Sequence, residues 1–170
     1  MATILKVEKE RIPAVKLTGI KYTNADRGPD GSFACQWERW FQKGYFNQIE
    51  SCERAVGVGG DYIGAMRMGP DGFEYWIGML IAPQAEIPEG FEAVEIPAGE
   101  LGVCYVYGKD ETGELFGMDV HQACVRSWEE KGWKVSADGW YLERYNCPRY
   151  TTPDEKGNVI LDYCAYMQCV

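Results

Sequence analysis

Along the chain the spacing of apolar positions changes in a fixed order, and each change marks an element. From Val7 to Tyr22 the stretch "VEKERIPAVKLTGIKY" is rich in β-branched residues and interrupted at Pro13, which predicts an extended segment with a bend or bulge at the proline. The turn-rich "NADRGPDGS" follows. Phe33, Trp37, Phe41 and Tyr45 then recur at i+4 steps with Trp40 beside them, and Ser32 stands at the capping position, so a helix is predicted from Phe33 to about Cys52. Gly44 inside that helix costs it about 1 kcal/mol relative to alanine. Next, "DYIGAMRM" and "FEYWIGMLIA" flank "GPDG", the signature of a hairpin.

The remainder repeats this order. Phe91 to Tyr107 reads as extended, Glu114 to Lys131 as a helix with Phe116, Val120, Cys124 and Trp128 at i+4 steps, and Trp140 to Asn146 and Val159 to Gln168 as strands around the turn "PDEKGN". Short echoes support the repeat. Ile12-Pro13-Ala14 returns as Ile96-Pro97-Ala98, and "EYWIGM" from Glu74 returns as "DYCAYM" from Asp162, at closely similar offsets. The pattern therefore predicts one domain over residues 1–170, built from a half at about 1–82 and a half at about 91–170, with "APQAEIPEG" as connector. Two strand-helix-strand-strand halves give an α+β fold: an antiparallel or mixed sheet with the helices on one side. The other face must be solvated, packed on another chain, or curved into a groove.

Composition narrows the function classes. A chain of 170 residues, 46% hydrophobic, has material for a proper core. Its 17 Lys and Arg against 26 Asp and Glu give a net charge of -9, which repels polyanions, so no nucleic-acid partner is expected. The start, "MATILKVEKE", lacks the pattern of a signal peptide, and no window approaches the ~18 apolar residues of a membrane span, so a cytoplasmic protein without membrane attachment is expected. The 7 cysteines show no C-x-x-C spacing, and they read as reduced thiols. His121 is the only histidine, which removes multi-histidine metal sites; no metal and no cofactor are expected. Cys124 follows it at i+3 on the predicted helix, but no nucleophile signature flanks the pair.

The segment "WYLERYN" from Trp140 carries the candidate chemistry. Strand alternation puts Tyr141, Glu143 and Tyr145 on one face and Trp140, Leu142 and Arg144 on the other. With Trp140 and Leu142 taken as the residues under the helices, the acid and its tyrosines fall on the open face. A carboxylate among aromatic rings suits a cation, each ring contributing ~0.5 to 2 kcal/mol. Met66, Met68, Met79 and Met167 on the strands could supply adaptable pocket walls, though methionine is also ordinary core filling. Tyr-x-Glu-x-Tyr equally fits a plain solvent-facing strand on which Glu143 pairs with a cross-strand Lys or Arg.

Taken together, "IPAGELGVCYVYG" from Ile96, "GFEYWIGMLIAP" from Gly72 and "WYLERYN" from Trp140 resemble the GyrI-like small-molecule-binding family, whose fold also serves as the effector domain of multidrug-responsive transcription regulators. The resemblance runs from "IPAVKLTGIKYT" to "VILDYCAYM". It implies halves related by a pseudo-twofold axis, a ligand cleft between them, and in that cleft an acid two residues before a tyrosine, which here are Glu143 and Tyr145. Tyr141 and Tyr107 join them by strand alternation, and Trp37 and Trp40 join if the first helix turns that way. The chain departs from the regulators in having no helix-turn-helix segment before its first strand. The resemblance implies binding or sequestration of small lipophilic, aromatic, cationic compounds. An alternative is hydrolysis of strained electrophilic natural products, with Glu143 as general base and Tyr145 as donor. A third is a protein-interaction module or homodimer formed through the open face.

Overall fold

The computed structural model describes residues 1–169. The predicted break at Pro13 separates two strands, β1 (Thr3–Ile12) and β2 (Val15–Tyr22), which do not pair with each other. Proline has no N–H to give a ladder, so the strand ends there. The second Ile-Pro-Ala does the same, ending β5 (Glu92–Ile96) before β6 (Gly99–Gly108). At these two breaks the chain divides into two compact units, one of Pro13–Ala98 and one of Met1–Ile12 with residues 99–169.

In the Pro13–Ala98 unit the strands run in the order β3-β4-β2-β5, every pairing antiparallel. Strands β3 (Tyr62–Gly69) and β4 (Gly72–Ile81) form the predicted hairpin around Pro70-Asp71, with Gly69 opposite Gly72. The predicted long helix is two: α1 (Ala34–Lys43) and α2 (Tyr45–Ile49). Gly44 divides them at φ 65°, where its N–H donates to the Phe41 carbonyl. Only glycine enters that left-handed region cheaply, so the residue costing helix propensity is also its stop. Phe33, Trp40, Phe46 and Ile49 cover Tyr22, Tyr75, Ile77 and Met79 of the sheet, and Phe33 stacks on Tyr75 at 4.2 Å. Trp40 has no exposed surface. Burying about 200 Å² of indole is worth about 5 kcal/mol as an upper bound.

In the other unit the order is β1-β6-β8-β7, again antiparallel throughout, with β7 at Tyr141–Tyr145 and β8 at Val159–Tyr166. Its helix, α3 (Met118–Glu130), starts later than the pattern predicts, because Gly113 and Gly117 take positive φ and hold the preceding residues in turns. Both units thus show the same sequence of parts: a strand, helix, and two further strands, with an extra strand (β5 or β1) against the first.

The echoed motifs occupy equivalent places. Glu74 and Asp162, which begin "EYWIGM" and "DYCAYM", are both buried carboxylates. Each lies opposite an arginine on the adjacent strand and bonds to it at 2.9 Å, Arg67 to Glu74 and Arg144 to Asp162. One residue on, Tyr75 accepts from the Trp37 indole, and Tyr163 meets His121, each at 2.9 Å. Among the described residues no helix is long and apolar enough to cross a membrane.

Candidate functional site

Strand β7 pairs with β8 so that Glu143 lies opposite Tyr163, Tyr141 opposite Ala165, and Arg144 opposite Asp162. This register sorts the chemistry onto two faces. On the first, the Tyr145 hydroxyl donates to Glu143 Oε2 at 2.8 Å, and Tyr150 meets the Tyr145 ring edge-on at 4.7 Å. Helix α3 stands over this same face. His121 Nδ1 is 2.9 Å from the Tyr163 hydroxyl, its ring is 4.9 Å from that of Tyr141, and Trp128 lies parallel to Tyr163 at 6.3 Å.

That placement corrects the expected facing. Tyr141 and Glu143 lie on the helix side of β7, and Leu142 and Arg144 on the side away from α3. Alternation could not decide it because both faces are buried along β8, where seven of eight residues are inaccessible. The face away from α3 is filled by an ion cluster instead of being open. Asp162, wholly buried, accepts from Arg144 Nε at 2.9 Å and from Arg149 at 2.7 and 2.6 Å. Arg144 reaches on to Glu10 of β1 at 2.5 Å. Charges so thoroughly matched serve architecture, since Asp162 is wholly buried and Arg144 only 13% exposed, and removing either leaves the other's charge without its partner away from water.

The electrostatics of the Glu143 face follow from its half-buried state. Burial pushes the Tyr163 phenol well above its ordinary pKa, and the Glu143 charge pushes it further. Tyr150 is raised in the same sense by burial, by its hydrogen bond to Asp110, and more weakly by Glu143. Burial also raises Tyr141. These phenols therefore remain neutral beside the carboxylate. Burial lowers the pKa of His121, so the imidazole facing Tyr163 is neutral near pH 7. Chemically this is a carboxylate that accepts from a phenol, with further tyrosines beside it, one of them bonded to Asp110.

Of the residues singled out from the sequence, Glu143, Tyr145 and Tyr141 come together. Tyr107 does not join them. It lies on β6 opposite Ile160, on the Asp162 face, and its hydroxyl donates to Asp154 at 2.5 Å while accepting from Asn158 at 3.0 Å. Trp37 and Trp40 belong to the Pro13–Ala98 unit, where their indole N–H groups donate to Tyr75 and Tyr22, each at 2.9 Å. The methionines form no common wall: Met79 and Met167 are core, Met66 packs at the edge of one core, and Met68 is exposed. Sequence reasoning passed over Tyr163, Tyr150 and the contact made by His121. Tyr163 was within reach of register arguments, as the residue directly across from Glu143. Among the described residues, no group of His, Cys, Asp and Glu is placed to hold a metal ion.

Solved structures share the fold. SAV2435 bound to tetraphenylphosphonium aligns with a TM-score of 0.72 at 15% identity, over 96% of this chain and 94% of its own. A Staphylococcus aureus MU50 protein, provisionally named a bacterial transcription regulation protein, aligns at 0.69 and 15%, over 96% and 99%. EcmrR in its DNA complex aligns at 0.57 and 9% identity, over 97% of this chain and 58% of that one. Neither a protein-family model nor a curated protein matches the chain. At such identities the likeness is one of fold.

Proposed function

We propose that this chain is a GyrI-like small-molecule-binding protein, built from duplicated halves, that takes up lipophilic, aromatic, cationic compounds beside Glu143. The observation that carries the reading is the Glu143 carboxylate, held by the Tyr145 hydroxyl at 2.8 Å and sharing its face with Tyr141 and Tyr163. A cation placed there meets a fixed negative charge in a partly desolvated setting, where attraction exceeds that in bulk water. The ring faces add ~0.5 to 2 kcal/mol each. The complex of SAV2435 with tetraphenylphosphonium, a protein of the same fold, supports this ligand class. The paired equivalences of Glu74 with Asp162 and of Arg67 with Arg144 support duplication.

The test is a calorimetric titration with tetraphenylphosphonium and with triphenylphosphine oxide as the neutral comparison. Glu143→Gln is expected to weaken the cation about tenfold, or about 1.4 kcal/mol, and to change the neutral compound by less than about twofold. Equal loss for both would remove charge recognition from the reading. Mass spectrometry of the recovered ligand separates sequestration from hydrolysis, since a bound compound returns intact and a substrate does not.

A further inference from the structure

Helix α3 ends in a paired hydrogen-bond motif that builds a groove next to Tyr141. Gly132 takes φ +75°, its N–H donates to the Glu129 carbonyl at 2.9 Å, and the Trp133 N–H donates to the Trp128 carbonyl at 3.0 Å. The chain reverses there, and the returning segment is held in place. Gln168 donates to the Lys134 carbonyl at 2.7 Å, Val135 bridges to Met167, and the Lys9 and Lys131 ammonium groups lie 5.1 and 5.6 Å from the Trp133 ring. Between this segment and α3 lies a groove of about 450 Å³, lined by Val125, Glu129, Trp133, Lys134, Val135 and Tyr141. That volume falls within the range of small-ligand sites.

Two features say what it would hold. Val125, Trp133 and Val135 give the groove an apolar stretch, and the charged groups on its lining, Glu129 and Lys134, are of opposite sign, with Lys9 and Lys131 beside Trp133, so the groove itself has no excess of negative charge to draw a second cation. Tyr141 joins the groove to the carboxylate: it lines the groove and shares a strand face with Glu143 two residues away, ~7 Å along the strand. His121, Val125 and Glu129 follow at i+4 steps, so one side of α3 runs from the Tyr141 contact along the groove.

We propose that the binding site continues past Tyr141 into this groove, and that its preferred ligands are elongated cations with an uncharged apolar arm: the cationic head at Glu143, the arm along Val125, Trp133 and Val135. The proposal rests on the reading of Glu143 given above and adds the length and polarity of the ligand to it.

Methyl-, butyl- and octyl-triphenylphosphonium, titrated by calorimetry into wild type, Val125→Gln, Trp133→Ala and Glu143→Gln, test it. Wild type should gain about fourfold in affinity per buried methylene until the groove is full. Val125→Gln and Trp133→Ala should leave the methyl compound within about twofold and remove about tenfold or more of the octyl gain. Glu143→Gln should weaken every member while the dependence on arm length persists. Methyl binding without any gain for octyl, or a full gain retained in both groove variants, overturns the groove and leaves the Glu143 reading standing. Failure of the whole series to bind wild type overturns both. Val125 and Trp133 are half-buried, and circular dichroism checks each variant; should one unfold, the other decides.

Discussion

His121 is the sole histidine of the chain, so its titration can be followed without ambiguity. Burial depresses its pKa below the ordinary 6.5, which means that the folded state prefers the neutral ring. The stabilisation this provides is complete above 6.5 and is lost as pH falls through the lower folded value. The imidazole proton resonances should therefore titrate with a midpoint below 6.5; a midpoint at or above it would mean that the ring is not packed against Tyr141 and Tyr163. At this scale the sequence was informative about Glu143 and Tyr145, which lie on one face by simple alternation. It did not single out Tyr163, which stands 20 positions further on and comes opposite Glu143 only through the register of the two strands.

Elements are tied together at a few points where substitution should be costly. Gly19 of β2 faces Gly78 of β4, and a Cβ at either would come within 1.9 Å of a backbone oxygen, that of Ile77 or Thr18. Backbone cannot yield as a side chain can. Gly78→Ala should therefore destabilise by about 3 kcal/mol or more, read as a lowered urea midpoint, whereas Gly113→Ala on an open turn, strained only by its positive φ, should cost about 1 kcal/mol. Asp162 joins β8 to β7 through Arg144, to the segment after β7 through Arg149, and by way of Arg144 to Glu10 of β1. Asp162→Asn leaves two guanidinium groups short of a counter-charge and should cost about 3 to 5 kcal/mol, a large part of a normal domain's stability. A urea midpoint near wild type would show that the cluster is dispensable.

Across the whole molecule the buried phenols make stability sensitive to alkali. Burial raises Tyr163 and Tyr166 above the ordinary 10.0, and raises Tyr105 and Tyr150 with help from hydrogen bonds to Glu8 and Asp110. A raised folded pKa contributes fully below 10.0 and is lost as pH climbs above it, because the unfolded chain ionises first. Tyr163 and Tyr166, the two that are buried, then each remove about 1.4 kcal/mol per pH unit while held neutral, and the half-buried Tyr105 and Tyr150 less. Unfolding in strong alkali should accordingly be steep, with the last part of the tyrosinate absorbance, that of the buried phenols, appearing together with the loss of tertiary signal. Ionisation of all 11 tyrosines before the tertiary signal is lost would contradict the burial described.

What the amino-acid sequence determined by itself is local and periodic. Proline cannot extend a ladder, so Pro13 and Pro97 end strands; Gly-Pro-Asp-Gly closes a hairpin; i+4 aromatic stripes make helices; the Ile-Pro-Ala echoes fall at the two breaks between the units, and the Glu-Tyr and Asp-Tyr echoes lie one in each. What only tertiary structure decided is which face α3 covers and which residues meet there. Period-two alternation separates two faces but ranks them only when one is polar. Here one face carries Glu143 among tyrosines and the other carries Arg144 and Asp162 beside Leu142 and Cys164, so both look half polar and both are buried. What separates them is what distant segments bring: Glu10 and Arg149 complete the charges on one face, and His121 and Trp128 of α3 meet the rings on the other, contacts that exist only once those segments are side by side.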